Sequence, residues 1–272
     1  MSGLGTMNAL LDDILPPEII ARLPLQSQQH YAALTATLIE RLKQRMFFDL
    51  FPDKDTLDRD GSVLIYRREL YPRHLEFFEA GLTYRERCFL AANRVGKTTC
   101  GAYETTCHLT GLYPNWWTGK RFTMPIRAWA CGKRNETTRD IVQAALLGPI
   151  AYDGVRKILQ GTGMVPGNLL GRVTWKRGVE DLVDTVKVQH SSGGWSTLSM
   201  KSYEQGRGSF EGTSQHVIWL DEECPMDVYG ECLIRLMTTQ GILLITFTPL
   251  EGMSETVLQF QLLTDKAILG HM

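Results

Sequence analysis

One short segment limits what this chain can fold into more than any other: Ala91-Ala92-Asn93-Arg94-Val95-Gly96-Lys97-Thr98, between an apolar stretch and a helix-forming one. It follows the phosphate-binding pattern G-x-x-x-x-G-K-[ST], except that Ala91 stands at the first glycine. Each position has a mechanical reading. Gly96 lets the backbone approach a phosphate, and the amides after it point outward from a helix N-terminus. Lys97 brings a cation to the β/γ-phosphates, and Thr98 offers a hydroxyl to Mg²⁺. Alanine at position 91 keeps the turn tight but lacks glycine's access to positive φ, so a loop of slightly different shape is expected.

The flanking sequence fits a strand–loop–helix setting. Cys88 to Ala91 reads as a short apolar strand, and Lys97 to about Leu109 as the helix after the loop. A second strand is expected over Ile126 to Cys131, with a helix from about Glu136 to Leu147. Val173 to Tyr203 alternates and is rich in Val, Thr and Trp, with Ser191-Ser192-Gly193-Gly194 as a turn, which predicts a β-hairpin. Val217 to Leu220 and Ile242 to Phe247 are continuous apolar runs of strand length. Helices interleaved with short buried strands predict an α/β fold with a mostly parallel central sheet flanked by helices. Upstream, Pro16-Pro17 breaks a mixed N-terminal stretch. Gln26 to about Phe51 places Leu34, Leu38, Leu42 and Phe47 at helical spacing, as one amphipathic helix bracing the core. Leu70-Tyr71-Pro72 opens a short helix through Phe77 and Phe78 that Gly81 stops.

A second chemical signal is His216-Val217-Ile218-Trp219-Leu220-Asp221-Glu222-Glu223, an apolar strand that delivers carboxylates to the rim of the sheet, where open α/β sheets bind ligands. Asp221 fits a Mg²⁺ partner, directly or through water, and Glu222 a base that orients an attacking water. Taken alone, this is equally a strand end capped by solvated acids. Beside the loop it gains meaning, because each motif supplies what the other's chemistry lacks. The apolar run from Ile242 ends in Thr246-Phe247-Thr248-Pro249, where a hydroxyl at a strand tip could sense a γ-phosphate. A strand simply ended by proline reads the same way.

In this order, the loop containing Arg94, the Asp221-Glu222 pair and the Thr246-Phe247-Thr248-Pro249 strand end resemble the large terminase subunits of tailed phages. Leu70-Tyr71-Pro72-Arg73-His74-Leu75-Glu76-Phe77-Phe78 resembles the segment before the loop in that family, and the resemblance runs from about Leu70 to Phe260. It implies a P-loop NTPase of the ASCE/RecA-like kind over 70–272, with an N-terminal helical extension over 1–69, and ATP and Mg²⁺ as cofactors. The nucleotide-binding residues it implies are Ala92, Asn93, Arg94, Val95, Gly96, Lys97, Thr98 and Thr99, with Tyr71 as a stacking partner and Thr248 in a coupling motif. Thr98 and Asp221 would hold the metal. Glu222, Lys97, Arg94 and Arg207 would be catalytic, with Arg207, flanked by Gly206 and Gly208, reaching a neighbouring subunit's nucleotide. The implied function is coupling of ATP hydrolysis to translocation of double-stranded DNA into the procapsid. The implied partners are double-stranded DNA, a portal protein, a small terminase subunit and further copies in a ring, a pentamer, on the procapsid, with the isolated domain expected as a monomer that assembles only there. The sequence departs from the family in two ways. Arg73-His74 stands where many members place an adenine-reading Gln, and the family's C-terminal nuclease domain is absent from this chain, so no DNA cleavage is expected of it.

Composition narrows the alternatives. Six cysteines without C-x-x-C spacing argue against a disulfide framework or zinc site and for a reducing compartment. No apolar run reaches the about 18 residues of a membrane span, so a soluble protein of the host cytoplasm is expected. A net charge of −1 places any DNA contact on local basic patches or on several copies around the substrate. Trp116, Trp117, Lys120, Arg121 and Arg177 beside Trp175 are such candidates, though surface cations and core tryptophans explain them as well. Three competing readings remain: a helicase-like ATPase, which wants a second RecA-like domain; a nucleotide-binding switch, which has no need of Glu222; and a small-molecule kinase, which would carry an arginine-rich lid.

Overall fold

The structure is a computed structural model that describes residues 17–43, 46–58, 60–249, 252, 254–261 and 267–269. The chain divides into two compact units, Met1–Tyr71 and Pro72–Met272. In the first, Pro17 opens a helical turn, Pro17–Ile20, as suits a residue with no amide to satisfy. The longer helix α1 covers Leu25–Lys43 and is followed by a separate turn, Met46–Asp49, where the sequence predicts a single helix to Phe51. Leu34 of the expected apolar stripe is exposed, Phe47 is buried, and the side chains of Leu38 and Leu42 lie outside the described residues, as does Pro16. A small antiparallel pair, β1 (Thr56–Leu57) and β2 (Val63–Ile65), follows, and then a 3-10 turn, Arg68–Leu70.

The second unit carries the loop. Its elements are α2 (Pro72–Ala80), β3 (Glu86–Leu90), α3 (Lys97–Thr110), β4 (Arg127–Gly132), a helical run α4 over 135–147, the hairpin β5 (Ile150–Asp153) and β6 (Arg156–Leu159), β7 (Leu170–Trp175), β8 (Val183–Gln189), β9 (Trp195–Ser202), β10 (Val217–Asp221), α5 (Met226–Met237), β11 (Ile242–Phe247), α6 (Glu255–Gln261) and β12 (Ala267–Leu269). The middle of α4, Thr138–Gln143, is wound as a π-helix. The main sheet has eight strands in the order β12-β3-β11-β10-β4-β9-β8-β7. From β12 to β9 every neighbouring pair is parallel, and β8 runs against both of its neighbours. The expected hairpin over Val173 to Tyr203 is therefore part of a three-stranded meander whose last strand, β9, joins the parallel sheet beside β4. Alternation along the chain reveals a strand pair, but which edge it extends is decided by pairing between strands distant in sequence.

Every residue of β10 and β11 is buried, which explains why both read as unbroken apolar runs rather than alternating ones. Because side chains alternate across a sheet, Ile218, Leu220, Leu243, Ile245 and Phe247 share one cluster with Val228, Tyr229 and Cys232 of α5 and with Val257 and Phe260 of α6. Trp219 points the other way, so close to α3 that a Cβ on Gly101 would lie 2.3 Å from its Nε1. Helices thus cover both faces. Helix α3 is also fixed to β3 by a fully buried ion pair, Arg87 with Glu104 at 2.6 Å, which His108 extends at 3.2 Å. The Arg87 guanidinium lies over the Phe77 ring, donates to the Phe77 carbonyl, and occupies the space that a side chain at Gly81 would need. All six cysteines are buried thiols. Among the described residues no helix is long and apolar enough to cross a membrane.

Candidate nucleotide site

Strand β3 ends at Leu90, and the chain turns through 91–96 into α3. The turn's special conformations fall at Arg94, with φ of 64°, and at Gly96, with φ of 84°, while Ala91 is absent from the positive-φ residues. Ala91 is buried, and its amide reaches the Phe247 carbonyl at 3.4 Å, extending β3 alongside β11. The missing first glycine therefore costs no backbone strain, because this loop does not turn left-handed there. Gly96 is the N-cap of α3, and its carbonyl accepts the first helical bond from Cys100 at 2.8 Å. The amides beyond it are aimed out of the helix N-terminus, the arrangement that suits an anion. Ala92, Asn93, Arg94 and Val95 are exposed on the loop, and Lys97, Thr98 and Thr99 are half-buried in the first turn of α3. The Lys97 ammonium bridges the loop to the Ala92 carbonyl at 2.6 Å. Partial burial lowers its pKa, opposed by the charges of Glu222 and Asp221.

The acid pair reaches this loop through the sheet order. Strand β11 stands between β3 and β10, and the parallel register sets Asp221 beside Thr246. The Asp221 carboxylate is 3% exposed and accepts from the Thr246 hydroxyl at 2.6 Å and from Thr98 at 3.3 Å. Thr246 in turn accepts from Trp219 Nε1 at 2.7 Å, a buried relay from the α3 face of the sheet to the acid. Burial pushes the Asp221 carboxyl up to about 7, reinforced by Glu222 and opposed by the two threonine hydroxyls and Lys97. Thr98 and Asp221 offer adjoining hard oxygen donors, and no cluster of three or more His, Cys, Asp or Glu suited to a metal occurs among the described residues. That sparse donor set fits Mg²⁺, which keeps most of its waters and is shared with phosphates.

Glu222 follows with φ of 70°, a conformation that a non-glycine residue adopts at some cost. Its amide donates to the Thr246 carbonyl at 2.9 Å, and the Tyr203 hydroxyl donates to the Asp221 carbonyl at 2.8 Å, so the turn is held from two sides. Thr248, just past β11, donates to Asn93 Oδ1 at 2.8 Å and ties the strand end to the loop crest. Sequence reasoning weights Thr248 and passes over Thr246 as a partner of Asp221. The signal is there in the aligned ends of two apolar runs, but it needs the register to be read.

Other expected residues stand elsewhere. Tyr71 belongs to the first unit, edge-on to Phe51 at 5.8 Å between centroids. Arg73 pairs with Glu76 on α2 at 2.7 Å, and His74 is buried against Phe89. Arg207 lies in a 3-10 turn and pairs with the buried Glu231 of α5 at 3.1 Å, an acid that Arg235 also holds at 2.8 Å. Several suggested DNA contacts are engaged in packing: Trp117 is buried and donates to the Lys120 carbonyl, Lys120 donates to Gln240, and Arg121 donates to the Trp117 carbonyl.

The family model described as "Terminase large subunit, T4likevirus-type, N-terminal" matches residues 88–260. The large terminase subunit of Salmonella phage P22 is 37% identical over 219 residues, spanning 74% of this chain and 43% of that protein. Among solved structures, the large terminase of a thermophilic bacteriophage, determined in complex with ADP, superposes with a TM-score of 0.52 at 13% identity, over 74% of this chain and 44% of that one. The chain thus spans less than half the length of these relatives, and the structural likeness, at so low an identity, speaks for the fold alone. Since the family model covers the loop, the acid pair and most of the sheet, the chain belongs to the family of terminase large subunits, matching their N-terminal region.

Proposed function

We propose that this chain is an ATPase motor that couples hydrolysis of ATP to translocation of double-stranded DNA into a procapsid. The observation that carries the reading is the contact of Thr98, in the first turn of α3, with Asp221 at the end of β10, with Glu222 close enough for its charge to act on Lys97, and with β11 inserted between β10 and the strand β3 that leads into the loop. In this reading the Gly96 to Thr99 turn cradles the phosphates, and Lys97 exchanges the Ala92 carbonyl for the β/γ-phosphates. Arg94, at the loop crest, meets the γ-phosphate. Thr98 and Asp221 hold Mg²⁺, which neutralises phosphate charge when bound. Glu222 orients the attacking water, and its fixed backbone turn keeps the carboxylate at the rim. The Thr248–Asn93 contact carries the presence or loss of the γ-phosphate from the loop to the segment after β11.

Arg207 acts in trans in this reading, exchanging Glu231 for the nucleotide of an adjacent copy in a ring on the procapsid, where portal protein and small subunit complete the machine. The test is phosphate release from ATP by the wild type, Lys97→Ala and Glu222→Ala, with and without Mg²⁺. Loss of a group that stabilises transition-state charge costs on the order of 10²-fold or more. Wild-type turnover that both variants lose, with nucleotide binding retained in Glu222→Ala, supports the ATPase reading. Turnover unchanged in Glu222→Ala refutes the role of that residue. For Arg207, a mixture of Arg207→Ala and Lys97→Ala chains should recover activity that neither has alone.

A further inference from the structure

The loop has a support on its inner side that the phosphate-binding pattern does not include. His74 of α2 is 8% exposed, with its ring edge-on to Phe89 of β3 at 5.0 Å between centroids. Its Nε2 lies 3.1 Å from where a Cβ on Gly96 would be, so the imidazole sits directly against the left-handed turn that starts α3. Burial lowers the ring's pKa, while hydrogen bonding to the backbone of Gly96 and Val95 favours its protonated nitrogen, the sense expected when backbone carbonyls accept.

From this placement we infer that His74 is a positioning residue for the phosphate-binding loop, an inference that rests on the nucleotide reading above. In a trans peptide the C=O and N–H of one plane point in opposite directions. The Val95 carbonyl shares its plane with the Gly96 amide, and the Gly96 carbonyl shares its plane with the Lys97 amide. The helical bond from Cys100 already fixes the Gly96 carbonyl, so a donor beneath the turn acts mainly at the Val95 carbonyl, where it turns the Gly96 amide towards the outer face proposed for phosphate. Gly96 has the most backbone freedom in this loop and the most to lose on ordering, so a fixed partner matters most there. The imidazole also occupies the space beside Gly96 that would otherwise let the turn relax. His74 thus acts on the loop's backbone, not on a base.

Two substitutions separate the donor from the bulk. His74→Phe keeps an aromatic ring against Phe89 and removes the donor, whereas His74→Gln restores a donor of similar reach. Both are measured for MgADP affinity by calorimetry and, where turnover is present, for KM and kcat with ATP. The expected result is MgADP affinity weakened about tenfold in His74→Phe and returned to within about threefold of wild type in His74→Gln. KM should rise and kcat change little, because the amides grip ground state and transition state alike. Wild-type affinity in His74→Phe, or equal losses in the two variants, overturns the assignment. If the wild type binds no MgADP, the nucleotide reading is what fails. Hydrogen exchange at the Gly96 and Lys97 amides then decides on His74 separately. Exchange accelerated in His74→Phe and restored in His74→Gln supports the loop-holding role, and equal exchange in all three refutes it.

Discussion

Replacing Asp221 with asparagine should make the protein more stable, and increasingly so as pH rises, although the same change removes the charge proposed to hold Mg²⁺. The carboxyl is 3% exposed, and burial, with help from Glu222, lifts it from its usual 3.8 to about 7. In the unfolded chain it titrates near the usual value, so between the two the unfolded chain has released a proton that the folded one keeps. A raised folded-state value means the stabilisation is complete below the unfolded value and is lost as pH rises towards 7, levelling off above it. A gap of about 3 units at 1.36 kcal/mol per unit amounts to about 4 kcal/mol. At about 2–4 °C per kcal/mol for a folded unit of this size, the corresponding change in Tm is about 8–16 °C. The asparagine of the variant would have no proton to lose, its Oδ1 can accept from Thr246, and its amide nitrogen can face the Thr98 hydroxyl. The assay is thermal unfolding of both proteins in a chelator from about pH 4 to pH 8.5. The Tm advantage of Asp221→Asn should grow through the window and flatten above about pH 7. A constant difference across that range would refute the reasoning, because it would mean that Asp221 is ionised in the folded protein throughout.

Three further outcomes follow from the same geometry. Gly96→Ala should weaken nucleotide binding by about tenfold or more, since a side chain at φ of 84° costs about 1–2 kcal/mol and its methyl would press on His74 Nε2; titration with MgADP checks it. Glu104→Gln should destabilise the fold by about 3–5 kcal/mol in urea unfolding, because it leaves the buried Arg87 guanidinium without a counter-charge. Thr246→Val should raise the Asp221 carboxyl further by removing a hydrogen bond that holds it down, so the acid limb of the ATPase pH profile should move to higher pH. Trp219 Nε1 would also lose its acceptor in that variant, and a stability loss of about 1–3 kcal/mol should accompany the shift.

Strands β3, β4, β10 and β11 and helix α3 were legible from the chain alone because burial on both faces writes itself as unbroken apolar runs, and a phosphate loop needs small residues and a lysine at fixed spacing. The acid pair was legible as a strand end, and its meaning came from the company of the loop. Tertiary structure decided what depends on contacts between distant residues. The place of β11 between β3 and β10, the register that sets Thr246 on Asp221, and the entry of β9 into the parallel sheet are all choices among strands of similar composition. The burial that lifts Asp221 and the seat of His74 against Gly96 likewise follow from which surfaces meet. Arg207, flanked by glycines, reads as a free arginine in one dimension. In three it is paired with a buried glutamate from α5, a helix the local pattern around position 207 does not announce. Local sequence encodes an element's type and the chemistry it carries. Which elements become neighbours is settled by the joint burial of their apolar faces, and that is a property of the whole chain.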